Sequence, residues 1–339
     1  MEHHSTLALT VCLGAALCLP AATSYKISAR YPAPGTGGWD YVTIDSAARR
    51  LYISHATQVE VLDADTGKVA GVITDTPGVH GVAIATPFHH GFTSNGRENK
   101  VSMFDPATLK LIRKIDVGKG PDGIYYHPAS KRVFTNNHGT HDVTAIDASS
   151  GDVVGTVKLE GDGEQAVIGA DGLIYVNSED TAEVVAFDPE SLAVKKRMPV
   201  GVAKTPTGLA YDAKTNRLFI GCREKPMMVV MDAGSGKVIA NFPIGAGVDF
   251  AGFDPKSRLA FFSCGEGTLN FFHEKSADQI EDAGALKTQP GAKTMAFDAK
   301  TGKIFVPAAE YLESPASTPG KRPQRTVKPG TFVVLVVGK

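Results

Sequence analysis

The chain has 339 residues, 42% hydrophobic and 21% charged, enough for one large domain or two ordinary ones with a substantial core. Lys and Arg total 35 against 36 for Asp and Glu, a formal net charge of −1. A chain so balanced has no general field to gather nucleic acid, so nucleic acid is not an expected partner.

The N-terminus contains LALTVCLGAALCLPAATS, Leu7 to Ser24, one apolar run followed by small residues. This reads as a secretory signal over residues 1–24, cleaved near Ala22 to Ser24, although the leading MEHHST carries no Lys or Arg. Pro20 interrupts the run short of the roughly 20 apolar residues of a membrane span. Leu17, before Cys18, stands where a lipoprotein needs a small residue. The mature chain, 25–339, is therefore expected in the periplasm or secreted, with no transmembrane segment.

From residue 41 onward one unit recurs at intervals of about 42 residues. YVTIDSAARRLYIS (Tyr41–Ser54) is followed by GVAIATPFHHGFTS, GIYYHPASKRVFTN, QAVIGADGLIYVN, GLAYDAKTNRLFIG, FAGFDPKSRLAFFS and TMAFDAKTGKIFVP. Each is two short apolar runs about a polar turn, the pattern of a hairpin of half-buried strands. A second hairpin follows, as in VEVLDADTGKVAGVI (Val59–Ile73) and VSMFDPATLKLIRKI (Val101–Ile115). Its turn carries Asp63, Asp105, Asp147, Asp188 or Asp232, whose side chains can close the turn on backbone two residues on, a structural role.

Four strands per unit, seven times over, predict an all-β fold: one seven-bladed β-propeller over residues 25–339. The last unit lacks a fourth strand at the C-terminus. YKISARYPAPG (Tyr25–Gly35) resembles the fourth strand of the other units, so the N-terminal strand is expected to complete the last blade and close the ring, removing exposed edges. Between the second and third strands of that blade lies a Pro-rich basic insert, 313–329, with Lys321, Arg322, Arg325 and Lys328. It reads as a mobile insert or as a flap over a site.

The stretches GGWDYVTID, PGVHGVAIA, FTSNGR, VGKGPDGIYY, LEGDGEQAV, IYVNSED, PTGLAYD, IGAGVDFAGFD and GTFVVLVVGK resemble the YVTN-repeat, YncE-like propellers of exported bacterial proteins. The resemblance runs over essentially the whole mature chain and implies the fold much more specifically than an activity. More distantly the chain is similar to the propellers of quinoprotein amine dehydrogenase subunits, lactonases and the haem domain of a nitrite reductase. Fold does not dictate function, so the site has to be argued from residues.

In a propeller the first strand of each blade lines the channel. The residue just before it should ring the mouth: Asp40, His80, Asp122, Glu164, Thr207, Asp249 and Lys293. Crowded carboxylates need cations, protons or water. The ends of the second strands add His55, Asn95 and Asn137, with Arg97, His138, His141, Glu179, Asp180 and Arg223 nearby. Ligand binding is thus expected at Asp40, His80, Asp122, Glu164, Asp249, Asn95, Asn137 and Arg97. One divalent metal, held by His55, His80, Glu164 and Asp249, is one reading; an all-oxygen calcium set of Asn95, Asn137, Glu164 and Asp249 is another. A polar, water-filled funnel is the third. No C-x-x-C-H is present, which excludes covalent haem of that type. G-x-S-x-G, phosphate-loop and H-E-x-x-H patterns are absent too. The expected function is binding of a small molecule or a protein at the mouth; the alternative is a metal-dependent, lactonase-like hydrolase or an oxidoreductase on the same ring. Cys222 and Cys264 hold the same slot in adjacent blades, about 10 Å apart by sheet packing, too far for a disulfide.

Overall fold

A computed structural model describes residues 24–35, 37–314 and 324–339. The predicted signal segment, apart from Ser24, and the centre of the basic insert lie outside them. Seven four-stranded antiparallel sheets follow one another along the chain. Blade 1 comprises Trp39–Asp45, Arg50–His55, Gln58–Asp63 and Val69–Ile73. Blade 7 is assembled from both ends of the chain: Ala296–Asp298, Lys303–Ala308 and Val333–Gly338 receive the N-terminal strand Lys26–Pro32 as their outer member. The fold is a seven-bladed propeller closed as expected.

Burial follows strand position. Second and third strands are packed on both faces by neighbouring blades, so they are buried almost throughout, as in Arg132–Asn137 and Met227–Asp232. Fourth strands form the outer rim and are largely exposed, as in Val194–Pro199. Lys195, Lys196 and Arg197 lie on that edge, where charge discourages pairing with another chain. The core is a series of layers between adjacent sheets. Tyr175, Val184 and Met198 of blade 4, for example, pack with Leu209, Leu218 and Met231 of blade 5.

The turn aspartates act locally as their spacing indicates. Asp63 accepts the amides of Asp65 and Thr66 at 3.1 and 2.7 Å, and Asp105, Asp147 and Asp188 repeat the pattern. Blade 6 departs from it. Its third strand, Thr268–Ser276, runs on through His273 and Glu274. The turn falls beyond it, at Ala277 and Asp278.

The insert in blade 7 begins and ends as a two-stranded ribbon, Tyr311–Ser314 with Gln324–Val327. Tyr311 packs on Trp39 with ring centroids 6.0 Å apart, so the base of the ribbon stands beside the mouth.

Candidate functional site at the channel mouth

The first strands begin one residue before the rim positions: Trp39–Asp45, Val79–Ala85, Pro121–His127, Gly163–Ile168, Pro206–Asp212 and Val248–Asp254. Asp40, His80, Asp122, Glu164, Thr207 and Asp249 therefore lie inside strands rather than before them. Each falls in a β-bulge, because the register shifts across Trp39/Val42, Val79/Val82, Pro121/Ile124, Gly163/Ala166, Pro206/Gly208 and Val248/Phe250. A bulge breaks strand alternation and re-aims a side chain. Repeated in six blades, it presents the ring.

The ring is also latched from behind. The penultimate residue of a second strand reaches the next blade in four places. Ser94 donates to the Asp122 carbonyl, Asn136 Nδ2 to Glu164 O at 2.6 Å, Asn177 Nδ2 to Gly208 O at 3.0 Å and Ser263 Oγ to Lys293 O at 2.5 Å. These polar residues are buried, where satisfied hydrogen bonds rigidify.

The ring side chains form a chain of ion pairs. His80 Nδ1 is 2.7 Å from Asp40 Oδ2 and 3.3 Å from Asp122 Oδ2. Lys293 Nζ is 3.9 Å from Asp40 Oδ1 and 2.8 Å from Asp249 Oδ2. Arg223 pairs with Asp249 and, at 3.1 Å, with Glu179 Oε1; Thr207 Oγ1 donates to that oxygen at 2.9 Å. His138 stands 3.9 Å from Asp122. Glu164 lies outside this chain. Its only hydrogen bond among the described residues that reaches the carboxylate is from the Tyr41 hydroxyl, at 3.4 Å.

The carboxylates Asp40, Asp122, Glu164, Glu179 and Asp249 outnumber the fixed cations Lys293 and Arg223. Three of the ring groups are shifted toward holding a proton. Burial acts to lower the His80 imidazole, but the Asp40 hydrogen bond and the Asp122 and Asp40 charges outweigh it and raise its pKa. Burial raises the Asp122 carboxyl, opposed by His80 and reinforced by Asp40. Burial, with Asp122 and Glu179 adding to it, raises Glu164 well above the usual range. These are the two ordinary routes by which a crowded acid site is neutralised.

The four residues proposed from sequence as one metal set are not brought together. Both ring nitrogens of His55 are engaged inside blade 1, Nδ1 with Glu60 Oε2 and Nε2 with Gly37 O, each at 3.1 Å. The ring packs on Phe332 with centroids 4.4 Å apart. His55 is thus a core residue, held by a buried carboxylate and cut off from the mouth. Asp249 is taken by Arg223 and Lys293. Among the described residues, donor atoms within 4.8 Å of one another occur instead in Asp40, His80 and Asp122, and in the surface group His141, Asp162 and Asp180.

Asn95 and Asn137 are buried and turned into their own blades. Asn95 bonds Glu98 and Ser102 at 2.8 and 2.7 Å; Asn137 bonds Asp142 and Thr144 at 2.8 and 2.9 Å. Of the amide oxygens that calcium would need, Asn95 Oδ1 accepts from Thr93 Oγ1 at 2.9 Å, while Asn137 Oδ1 is buried without a hydrogen-bond partner among the described residues. Arg97 is exposed at the mouth. With Trp39, Asp40, His80, Asp122 and His138 it lines a cavity of about 490 Å³. Trp39 is 8% exposed and packed on Phe332 at 5.1 Å, so it serves the core. Cys222 and Cys264 are free and buried, and burial pushes both thiols up to about 12.

Sequence reasoning missed Gln165. Its Oε1 accepts the amides of Leu209 and Ala251, and its Nε2 donates to Ala251 O, all at 2.9 Å. It straps blade 4 to blades 5 and 6 across the channel. The available signal was a Gln in a slot that blades 2, 3 and 5 fill with Gly81, Gly123 and Gly208.

The family model for YncE-like β-propellers matches residues 69–248, more than half of the chain. The chain belongs to the YncE-like β-propeller family. YncE of Salmonella typhi is 23% identical over 221 residues, 62% of this chain and 57% of that protein. YncE of Escherichia coli O157:H7 is 22% identical over the same shares. The chain therefore matches just over half the length of these YncE proteins. Among solved structures, a Kuenenia stuttgartiensis hydrazine synthase chain aligns with a TM-score of 0.68 at 16% identity, covering 80% of this chain and 93% of that one. A chain of a mitotic checkpoint complex aligns with a TM-score of 0.73 at 14% identity, covering 90% and 96%. At such identities the likeness is one of fold. No described helix is long and apolar enough to cross a membrane.

Proposed function

We propose that this YncE-like propeller is an exported binding protein whose channel mouth holds a divalent metal ion between Asp40, His80 and Asp122, and through it a small ligand. The observation that carries the reading is the placement of one imidazole nitrogen and two carboxylates within 4.8 Å of one another, on three successive blades, at the edge of an open cavity. One nitrogen and two oxygens suit Zn²⁺ or Mn²⁺, with further positions left for water or ligand. Ligands at about 2.0–2.2 Å from an ion require His80 Nδ1 and Asp40 Oδ2 to move apart only slightly from their 2.7 Å contact. The ion would replace protons as the cation that the carboxylate-rich ring needs.

Arg97, exposed and with no ion pair among the described residues, lines the same cavity. It offers a cation for an acidic group on a ligand bound to the ion. Export rests on the apolar N-terminal run and its small-residue end.

The test is calorimetric titration of chelator-treated protein with Zn²⁺, Mn²⁺ and Ca²⁺, repeated on His80→Ala and Asp122→Asn. One saturable site for Zn²⁺ or Mn²⁺, weakened at least tenfold in both variants, is expected. Equal affinity in the variants would place any bound metal elsewhere, and absence of saturable binding would remove the metal from the reading.

A further inference from the structure

Glu164 also lines a second, smaller cavity of about 150 Å³. Tyr41, Tyr125, Phe250, Ile124 and Ala166 contribute its walls. Gly81 and Gly123, which follow the rim residues, also line it. A Cβ on Gly81 would lie 2.9 Å from Ile124 Cγ2, and one on Gly123 3.0 Å from Asn136 Nδ2, so neither position admits a side chain without displacement.

Glu164 is 7% exposed. No Lys, Arg or His pairs with it among the described residues; its contact is the Tyr41 hydroxyl. Tyr41 and Phe250 meet edge to face with centroids 6.0 Å apart. A buried carboxylate without a counter-ion, facing aromatic walls, is an incomplete arrangement. Burial, with the Asp122 and Glu179 charges outweighing that of Arg223, raises the pKa of Glu164.

We infer that this cavity binds a small organic cation, an alkylammonium, with Glu164 as its counter-ion. The carboxylate excludes anions. A dehydrated calcium ion would need six to eight oxygens. Of the neighbouring polar groups, the Gln165 amide is already engaged by Leu209 and Ala251. An ammonium needs only the carboxylate and a few hydrogen bonds, and its alkyl part gains from aromatic faces. A cavity of roughly 150 Å³ holds a molecule about the size of benzene, which limits the ligand to a compact amine. This inference does not depend on the metal.

The test is calorimetric titration of chelator-treated protein with n-propylammonium and tetramethylammonium chloride, with n-propanol and sodium propionate as the neutral and anionic counterparts. At least one ammonium salt should bind one saturable site, with no binding of propionate. Glu164→Gln should weaken it at least tenfold. Ala166→Leu, which fills the cavity and keeps the carboxylate, should weaken it similarly; it carries the test should Glu164→Gln fail to fold. Failure of both ammonium salts to saturate, affinity matched by n-propanol, or unchanged affinity in a folded variant would overturn the assignment.

Discussion

Arg49 Nη1 lies 2.7 Å from Asp298 Oδ2, across 249 residues of sequence, and joins blade 1 to blade 7. Ser46 donates to the same carboxylate at 2.6 Å. This is the ring closure seen from the face opposite the mouth. Burial pushes the Asp298 carboxyl up, but hydrogen bonds from Ser46, Thr301 and Arg49 outweigh it and hold the pKa at about 2. The folded pKa is depressed, so the contribution is complete above the ordinary carboxylate pKa and is lost as pH falls through about 2. Asp298→Asn should cost roughly 2 kcal/mol at neutral pH and flatten the acid limb of stability below about pH 4. Urea midpoints of the two proteins from pH 2 to 7 check this. A variant whose loss is the same at pH 2.5 as at pH 7 would assign the effect to shape rather than charge.

Glu274 makes the opposite prediction. Its carboxyl is pushed up to about 7, chiefly by burial; Thr215 pulls it down and neighbouring Asp212 adds to the rise. Arg258 stands 2.7 Å from Glu274 and 3.2 Å from Asp212, one cation between two acids. A carboxyl raised on folding binds a proton that the unfolded chain has released. Its contribution is therefore present below the ordinary Glu pKa and declines as pH rises to about 7. Glu274→Gln should remove that decline, which is at most roughly 3 kcal/mol. Stability of wild type and variant would be compared between pH 4.5 and 8. Parallel curves would mean that Glu274 stays ionised throughout.

Cys222 and Cys264 should remain thiols even under oxidising conditions. Both are buried and their thiols are raised to about 12, so almost no thiolate exists near neutrality. Peptide mass spectrometry after alkylation should find both unlabelled in the native protein and labelled after unfolding. Rapid native labelling of either would show that its blade opens locally.

The propeller was legible because each level of the repeat agreed with the next. Apolar alternation set the strands, and the aspartates of the DxxxG-like turns set the second hairpins. The orphan strand at Tyr25 to Gly35 had one vacancy to fill. The ring positions were legible by the same counting. What each ring residue does was not, because that depends on contacts between blades. His55, in ISHAT, and His80, in GVHGV, sit among apolar and small residues in sequence, yet Glu60 draws one into the core while a bulge turns the other outward. Asn95 and Asn137 offer amides that sequence cannot distinguish from free ligands; Ser102 and Thr144, seven residues on, accept from their Nδ2 atoms and hold both inside the blade. Arg223 reads as one charge among many until the fold sets it between Asp249 and Glu179.

Arg223 gives the sharpest distinction between scaffold and site within the ring. It is the cation shared by Asp249 and Glu179, and its Nε also donates to Val248 O at 2.9 Å. Removing one partner of a buried ion pair leaves an uncompensated charge and costs about 3–5 kcal/mol. Asp249 retains Lys293 at 2.8 Å, and Arg223 is itself partly exposed, so Arg223→Ala should fall at or below the lower end, near 3 kcal/mol. Lys293→Met should cost less, because Lys293 is more exposed and Asp249 keeps Arg223. Because the penalty comes from an unpaired carboxylate, adding Asp249→Asn to Arg223→Ala should recover part of the loss. Urea midpoints of the single and double variants would show it. A double variant no more stable than Arg223→Ala, or an Arg223→Ala loss smaller than that of Lys293→Met, would mean that the guanidinium acts by packing and its bond to Val248 rather than by balancing the ring.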